Sequence, residues 1–234
     1  MRNQTVFFIY LFLLFSIRLL SQGSSSEIGV ITDNDLYTST KNDQYYTNGL
    51  EVFYRYLSKN HHHNVLKKIN EVHFGQYMYS PRRIYVDEED MFDRPFAGYL
   101  FGEFGNTNFY TNGNVFKKYF QIGLIGPNSL ADKVQSGTHR LFHYPTFEQW
   151  NYQINNALGL QANFMVSLPF LTKFNNERLD FQWQSEAKIG AIFTSLSTSF
   201  VARIGIKKLL KLSESNFHGA SISEDTNPKK ELYI

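Results

Sequence analysis

Two clusters of polar residues have side chains of the kinds that catalysis or metal binding requires. The first lies in two neighbouring segments, Thr32–Tyr37 and Asp43–Gly49, which bring carboxylate, amide and hydroxyl oxygens to the ends of two predicted strands. Hard oxygen donors of this kind suit calcium. Asx and glycine residues also form ordinary turns, and on composition alone the turn is the favoured interpretation.

The second cluster is a glutamine and a histidine four residues apart, Gln135 and His139. Residues at this spacing share one face of a helix. An imidazole there can act as a general base near neutral pH, although a lone helical histidine is more often structural. A run of three histidines, His61–His63, is interpreted as part of a polar hairpin and not as a metal site.

Several classes of chemistry are excluded by what the chain lacks. It has no cysteine, which excludes disulfides, thiolate zinc sites and cysteine nucleophiles. It has no nucleophile elbow, phosphate-binding loop or His-Glu-x-x-His pattern. Lys and Arg total 23 against 21 Asp and Glu, so a mature chain without Arg2 and Arg18 is neutral and no nucleic acid is expected as a partner.

Residues 1–23 have the layout of a secretory signal peptide. Arg2 precedes an apolar run, Val6–Ile17, which is followed by small and polar residues. The run is too short for a spanning helix, which needs about 20 residues. No later stretch is long and apolar enough to span as a helix, so residues 24–234 are predicted to form one exported domain that either is soluble or inserts as a β-barrel.

The mature chain is rich in period-two alternation of apolar and polar residues, which predicts strands. About nine runs are predicted, and neighbouring runs can belong to one strand: Glu27–Thr32, Leu50–Tyr56, Lys68–Tyr79, Gly98–Asn106, Val115–Gly126, Trp150–Leu158, Gln161–Leu168, Leu179–Ile189 and Leu196–Ile206. Runs of roughly 8 to 12 residues suit tilted strands that cross a bilayer. A soluble β-sandwich would alternate too, so the pattern leaves both folds open.

One segment, Ser129–Phe142, departs from the alternation and predicts a short helix. Ser129 and Asp132 stand at the spacing of a capping box. Apolar residues recur at helical spacing at Leu130, Val134, Leu141 and Phe142. This helix would carry Gln135 and His139.

Seven short motifs occur along the chain in a fixed order. They are Asn34-Asp-Leu-Tyr, Asp43-Gln-Tyr-Tyr-Thr-Asn-Gly49, Gly75-Gln-Tyr-Met-Tyr-Ser-Pro81, Asp93-Arg-Pro-Phe-Ala-Gly98, Gly126-Pro, Gln135-x-x-x-His139 and Gln149-Trp-Asn-Tyr-Gln-Ile154. Each motif alone is weakly specific. Together they extend over most of the mature chain, and in this order they resemble the lipid A 3'-O-deacylase family of outer-membrane enzymes.

The resemblance implies an all-β fold, an antiparallel transmembrane β-barrel of twelve strands, with the active site between the barrel wall and a short helix in an extracellular loop. It also implies location in the bacterial outer membrane and calcium-dependent hydrolysis of the 3'-linked acyl ester of lipid A, the membrane anchor of lipopolysaccharide. Carried over by motif position, His139 would deprotonate water, and Asn34, Asp35 and Thr47 would hold or adjoin the calcium ion. Gln135 would orient the base or its water.

Two further groups of charged residues are interpreted from the sequence. Arg82 and Arg83 follow the Ser80-Pro81 turn and could bind lipid A phosphates as a charged fork, although solvated loop charges explain them equally well. The segment Asp93–Gly98 combines charges with a rigid turn, and we interpret it as structural, fixing the entry to a strand.

The chain departs from the family in its number of strands. Eight or nine are visible where twelve are expected, so the alternatives are a chain without the C-terminal strands, a smaller barrel of about eight strands, or a barrel completed by a partner. A catalytically inactive barrel with a structural or passage role is the alternative function. Retention of Asn34, Asp35, Thr47 and His139 together argues against it.

Overall fold

The computed structural model describes residues 24–37, 45–59, 62–82, 92–143, 148–220, 222–223 and 232. The predicted signal peptide, residues 1–23, lies outside them. Eight strands form one sheet in sequence order, and every neighbouring pair is antiparallel. The strands are β1 Ser26–Asn34, β2 Tyr45–Leu57, β3 Val65–Ser80, β4 Ala97–Tyr110, β5 Val115–Ile125, β6 Ala157–Phe170, β7 Leu179–Gly190 and β8 Ser195–Ile204. The predicted antiparallel all-β fold is confirmed.

The predicted strand at Trp150–Leu158 is wrong. Residues Glu148–Tyr152 form a 3₁₀ helix, and β6 begins only at Ala157. Trp150 is buried against Phe96, with ring centroids 5.0 Å apart. This packing holds the segment at the entry to β4 and keeps it out of the sheet.

The predicted helix is present, but it begins differently from the prediction. Helix α1 is Ala131–Phe142, and a 3₁₀ helix, Gly126–Ser129, precedes it. The residue before α1, Leu130, is left-handed with φ 59°, and no side chain caps the helix. The Ser129 hydroxyl instead donates to the Gly126 carbonyl at 2.6 Å, so the predicted capping box is not formed. Within the described residues, no helix is long and apolar enough to cross a membrane.

The sheet has an outer face whose large apolar side chains are exposed. Phe74 is 61% exposed, Ile122 55% and Leu160 54%. Successive strands bring such side chains into transverse rows, as in the row Tyr54, Val72, Phe104 and Phe120. A soluble protein covers rows of this kind, whereas the outer wall of a membrane barrel presents them to lipid.

The inner face carries polar side chains that bind one another. The His73 ring lies between two carboxylates, 3.1 Å from Glu51 and 3.4 Å from Glu71. Tyr119 donates to Glu71 at 2.8 Å. These buried polar groups of β2, β3 and β5 are therefore paired, as most groups shielded from bulk water are.

Residues 205–220 and 222–223, which follow β8, fold back over this inner face. Lys67 donates to the carbonyls of Ser213 and Ala220, at 2.7 and 2.8 Å, and Arg55 donates to the Gly219 carbonyl at 3.0 Å. An apolar cluster joins the segment to the sheet; its members are Ile69, Phe109, Val115, Leu212, Ala220 and Ile222. We call residues 205–220 and 222–223 the inner segment.

The two ends of the sheet differ in their connections. At one end, the site rim, the strands are joined by residues 35–44, 81–96, 126–156 and 191–194, which include α1. At the opposite rim the connections are residues 58–64, 111–114 and 171–178, and the inner segment also begins there. Long loops at one end and shorter turns at the other are typical of outer-membrane barrels.

Candidate functional site

Three predicted calcium ligands come together at the site rim. Asn34 is the last residue of β1 and lies directly opposite Asn48 on β2. Asp35 follows in a 3₁₀ helix, Asp35–Tyr37, and Thr47 precedes Asn48. Asn34 and Asp35 are half-buried and Thr47 is buried.

Thr47 points to the outer face because the strand is irregular there. The β2–β3 register shifts between Tyr46 and Asn48. The Thr47 hydroxyl lies 2.6 Å from the hydroxyl of Ser80, which alternation places on the same face as Met78. Asp33 has the opposite orientation, since it accepts a hydrogen bond from Tyr46 at 3.2 Å. The outer face thus receives the oxygens of Asn34 and Thr47, and not the carboxylate of Asp33.

A transverse row on the outer face connects these ligands with the helix. Asn34, Asn48, Met78 and Gly98 lie directly opposite one another on β1 to β4. Neighbouring strands are about 4.8 Å apart, so Asn34 and Met78 are separated by about 10 Å. Helix α1 packs over the far end of this row, on β3 and β4.

Small residues allow α1 to lie directly on the wall. Ala131 is fully buried in a cluster with Met78, Phe96 and Trp150. A Cβ built on Gly98 would lie only 2.5 Å from the Ala131 Cβ, so the close packing depends on the absence of a side chain. The Gln76 amide adds a hydrogen bond of 2.6 Å to the Ser129 carbonyl just before the helix.

Gln135 and His139 occupy successive turns of α1. Gln135 is buried, and its side-chain oxygen accepts a hydrogen bond of 2.5 Å from the Trp150 indole. His139 is half-buried in the last turn of the helix. The glutamine oxygen therefore anchors the helix to the segment that follows it, which sequence reasoning did not predict.

The arginine fork can be described only in part. Arg82 is exposed, and its backbone N–H donates to the Asp93 carboxylate at 2.8 Å, whereas Arg83 lies outside the described residues. This backbone hydrogen bond and the nearby Arg94 hold the pKa of Asp93 below its usual value. The Arg94 guanidinium also stacks 4.0 Å from the Tyr45 ring. These contacts support the structural interpretation of the segment Asp93–Gly98.

The donor set at the rim has the chemistry that calcium requires. Asn34, Asp35 and Thr47 offer amide, carboxylate and hydroxyl oxygens from adjacent chain segments, all hard donors. The described residues contain no group of three or more His, Asp and Glu placed to hold a metal. A site here would therefore rely on neutral oxygens and few carboxylates.

Three residues that matter to the site were not singled out from the sequence. Trp150 binds Gln135, Gly98 admits the helix, and Ser80 contacts Thr47. All three lie in motifs that carried the family resemblance. Their roles depend on contacts between segments that are distant in sequence. The motifs therefore contain these residues but do not predict their roles.

Comparisons with known proteins agree with this architecture. A family model described as "Outer membrane protein LpxR" matches residues 7–232. No curated protein matches the chain. Among solved structures, LpxR from Salmonella typhimurium is similar, with a TM-score of 0.61 and 24% sequence identity over 77% of this chain. At this identity the likeness shows the fold alone, and the chain spans 64% of the length of that structure.

Proposed function

Because the chain belongs to the LpxR family of outer membrane proteins, we propose that it is an outer-membrane lipid A 3'-O-deacylase. The observation that carries the proposal is the position of Asn34, Thr47 and α1 on the outer face of the sheet at one rim. A site on this face borders the exposed apolar rows. It can therefore be reached by a lipid in the membrane. The family membership makes lipopolysaccharide the lipid that we propose as substrate.

The exposed residues of α1 support a lipid substrate. The predicted apolar positions of the helix do not face the wall, since Leu141 is 73% exposed and the others are also exposed: Leu130, Val134 and Phe142. Exposed apolar side chains beside a catalytic histidine can contact acyl chains. Arg82, exposed at the same rim, can pair with a lipid A phosphate as Arg side chains commonly do.

The chemistry requires a base for water and positive charge near the ester carbonyl. His139 would take a proton from the attacking water at a ring nitrogen. Asn34, Asp35 and Thr47 would hold a calcium ion. Calcium bound there would stabilise the negative charge that develops on the carbonyl oxygen. No serine or cysteine nucleophile is needed for this reaction.

Gln135 acts in this proposal as a positioning residue. Its side-chain oxygen is bound to Trp150, so it fixes the helix one turn before His139. The amide nitrogen remains available to orient the base or its water. Its contribution to catalysis would then be geometric, through the placement of the imidazole.

The proposal is tested by comparing two histidines of the same helix end. His139→Asn removes the base, whereas His143→Asn changes the residue after α1, whose left-handed backbone asparagine tolerates. Lipid A from membranes carrying each variant is analysed by mass spectrometry for loss of the 3'-linked acyl chain. His139→Asn should lower the rate by ~10² to 10⁴ while His143→Asn is nearly unchanged. An inserted wild-type protein that releases no acyl chain would establish the inactive barrel.

A further inference from the structure

A polar cavity of about 780 Å³ lies on the outer face at the opposite rim, away from the site. Its described lining residues are His62, His63, Asn64, Val65, Lys68, Asn106, Asn108, Tyr110 and Lys118. The strand register places the side chains of Lys68, Asn106 and Lys118 on the same face as Val72 and Phe104. The cavity therefore opens on the wall that carries the exposed apolar rows.

The position of the cavity follows from the strand geometry. Asn70 lies opposite Asn106, and Asn106 opposite Lys118, so these residues form a polar row. On β3, Met78 of the site row and Asn70 are eight residues apart, which is about 27 Å along the strand. For a strand tilted by about 40° this is about 20 Å across the membrane.

Apolar rows fill the distance between these two levels. Their members are Val72 and Phe74 on β3, Leu100 and Phe104 on β4, and Phe120, Ile122 and Leu124 on β5. The site row and the polar row thus bound one apolar band on its two sides. If the site faces lipid A in one leaflet, the cavity lies at the headgroup level of the other leaflet.

The lining of the cavity has the chemistry of an anion site. Lys68 and Lys118 supply two ammonium groups, and the described lining residues include no carboxylate. The Asn108 amide donates to the Asn106 side-chain oxygen at 2.9 Å, which orients the pair and leaves the Asn106 amide as a donor. Asn108 and Lys118 lie opposite aromatic residues, Phe116 and Phe164. Charge and amide donors therefore adjoin an apolar surface on which acyl chains can lie.

We propose that this cavity binds the phosphodiester headgroup of an anionic glycerophospholipid from the leaflet opposite the site. The two lysines pair with the phosphate, the asparagine amides donate to its oxygens, and the acyl chains run along the apolar band toward the site rim. The loop histidines of the sequence, His62 and His63, border this headgroup site. The inference rests on the membrane placement of the barrel and not on deacylase activity.

Binding is measured with the full-length chain in detergent by thermophoresis. The probes are short-chain phosphatidylglycerol, short-chain phosphatidylcholine and inorganic phosphate. A lysine near a membrane surface contributes about a fivefold change in affinity, so the Lys68→Gln/Lys118→Gln double variant should bind phosphatidylglycerol roughly 25-fold more weakly. Lys173→Gln, at the same rim but outside the cavity, is the matched control and should bind as the wild type does.

The wild type should prefer phosphatidylglycerol to phosphatidylcholine and to phosphate alone. Equal binding of the two lipids, unchanged affinity in the double variant, or phosphate binding as tight as phosphatidylglycerol would each overturn the proposal. Heat-modifiable migration on gels checks that each variant is folded. The Asn106→Leu variant tests the amide donor of the site without changing its charge. Lipid A deacylation should be unaffected by all of these variants, so the two proposals fail separately.

Discussion

Gly98 lies against Ala131 so closely that a Cβ on Gly98 would stand 2.5 Å from the Ala131 Cβ. The contact joins strand β4 to the first residue of helix α1, and Ser129, just before the helix, lies against the same glycine. Because His139 lies two turns further along the same helix, the position of its imidazole depends on this contact. The first prediction follows from it.

Gly98→Ala should displace α1 and lower deacylation by at least about tenfold, because a misplacement of about 1 Å can cost a catalytic site 10²-fold. The control is Gly102→Ala on the same strand and the same face, where a Cβ would meet nothing within 4 Å. Trp150 fluorescence in a Trp183→Phe background reports the helix position independently of activity. Similar emission and activity in the two variants would show that the contact does not position the helix.

The hydrogen bond between Gln135 and Trp150 should be visible as an energetic coupling. Gln135→Met leaves the buried indole N–H without its acceptor, which costs about 1–3 kcal/mol. Trp150→Phe removes the donor and leaves a cavity. In a double-mutant cycle followed by denaturant unfolding, the two changes should be non-additive by about 0.5–1.5 kcal/mol. Simple additivity would show that the bond contributes nothing to holding the helix.

Much of the sheet could be predicted because strand alternation is a local signal. The runs at Val115–Gly126 and Leu179–Ile189 match β5 and β7 almost residue for residue. The family motifs also placed Asn34, Asp35 and Thr47 at adjacent strand ends. The segment around Trp150 was wrongly predicted as a strand because its apolar residues alternate with the strand period. Packing of Trp150 on the distant Phe96 determines its structure instead. The inner segment could not be predicted from a periodic pattern of apolar residues. The side chains of Lys67 and Arg55 bind its main-chain carbonyls, and such contacts do not depend on the side chains of the segment.

Calcium dependence should separate a ligand from the base. Asp35→Ala removes a carboxylate from the oxygen donor set, so its activity should fall and should be partly restored by raising the calcium concentration. No calcium concentration should restore His139→Asn, because the missing group is a base. Deacylation measured over a calcium titration, with a chelator control, distinguishes the two. Full wild-type activity in excess chelator would remove calcium from the mechanism.

Lys67 should contribute measurably to holding the inner segment against the sheet. Lys67 donates to the carbonyls of Ser213 and Ala220, so Lys67→Met leaves two acceptors without their shared donor. The loss should be about 1–3 kcal/mol and should expose residues 211–220 to protease in an otherwise folded barrel. Lys207→Met, an exposed lysine at the start of the segment, is the control. Equal cleavage of the two variants would show that Arg55 and the apolar cluster hold the segment without Lys67.

The stability of the inner segment should also depend on pH through His218. This residue is 5% exposed, its ring packs 4.6 Å from the Phe217 ring, and its Nε2 atom is buried without a hydrogen-bond partner among the described residues. Burial, together with the positive charges of Lys117 and Arg203, lowers the pKa of His218 to about 3. The folded segment therefore holds the neutral imidazole.

The sign of the effect follows from the two protonation states. Between an unfolded pKa of about 6.5 and the folded pKa of about 3, the unfolded segment binds a proton that the folded one does not. Stability is thus full above pH 6.5 and falls as the pH decreases, by up to about 1.4 kcal/mol per pH unit. His218→Leu cannot titrate, so the difference in unfolding free energy between wild type and variant should shrink or reverse from pH 7 to pH 4. Denaturant unfolding at each pH measures this difference, and parallel curves for the two proteins would show that His218 titrates normally in the folded chain.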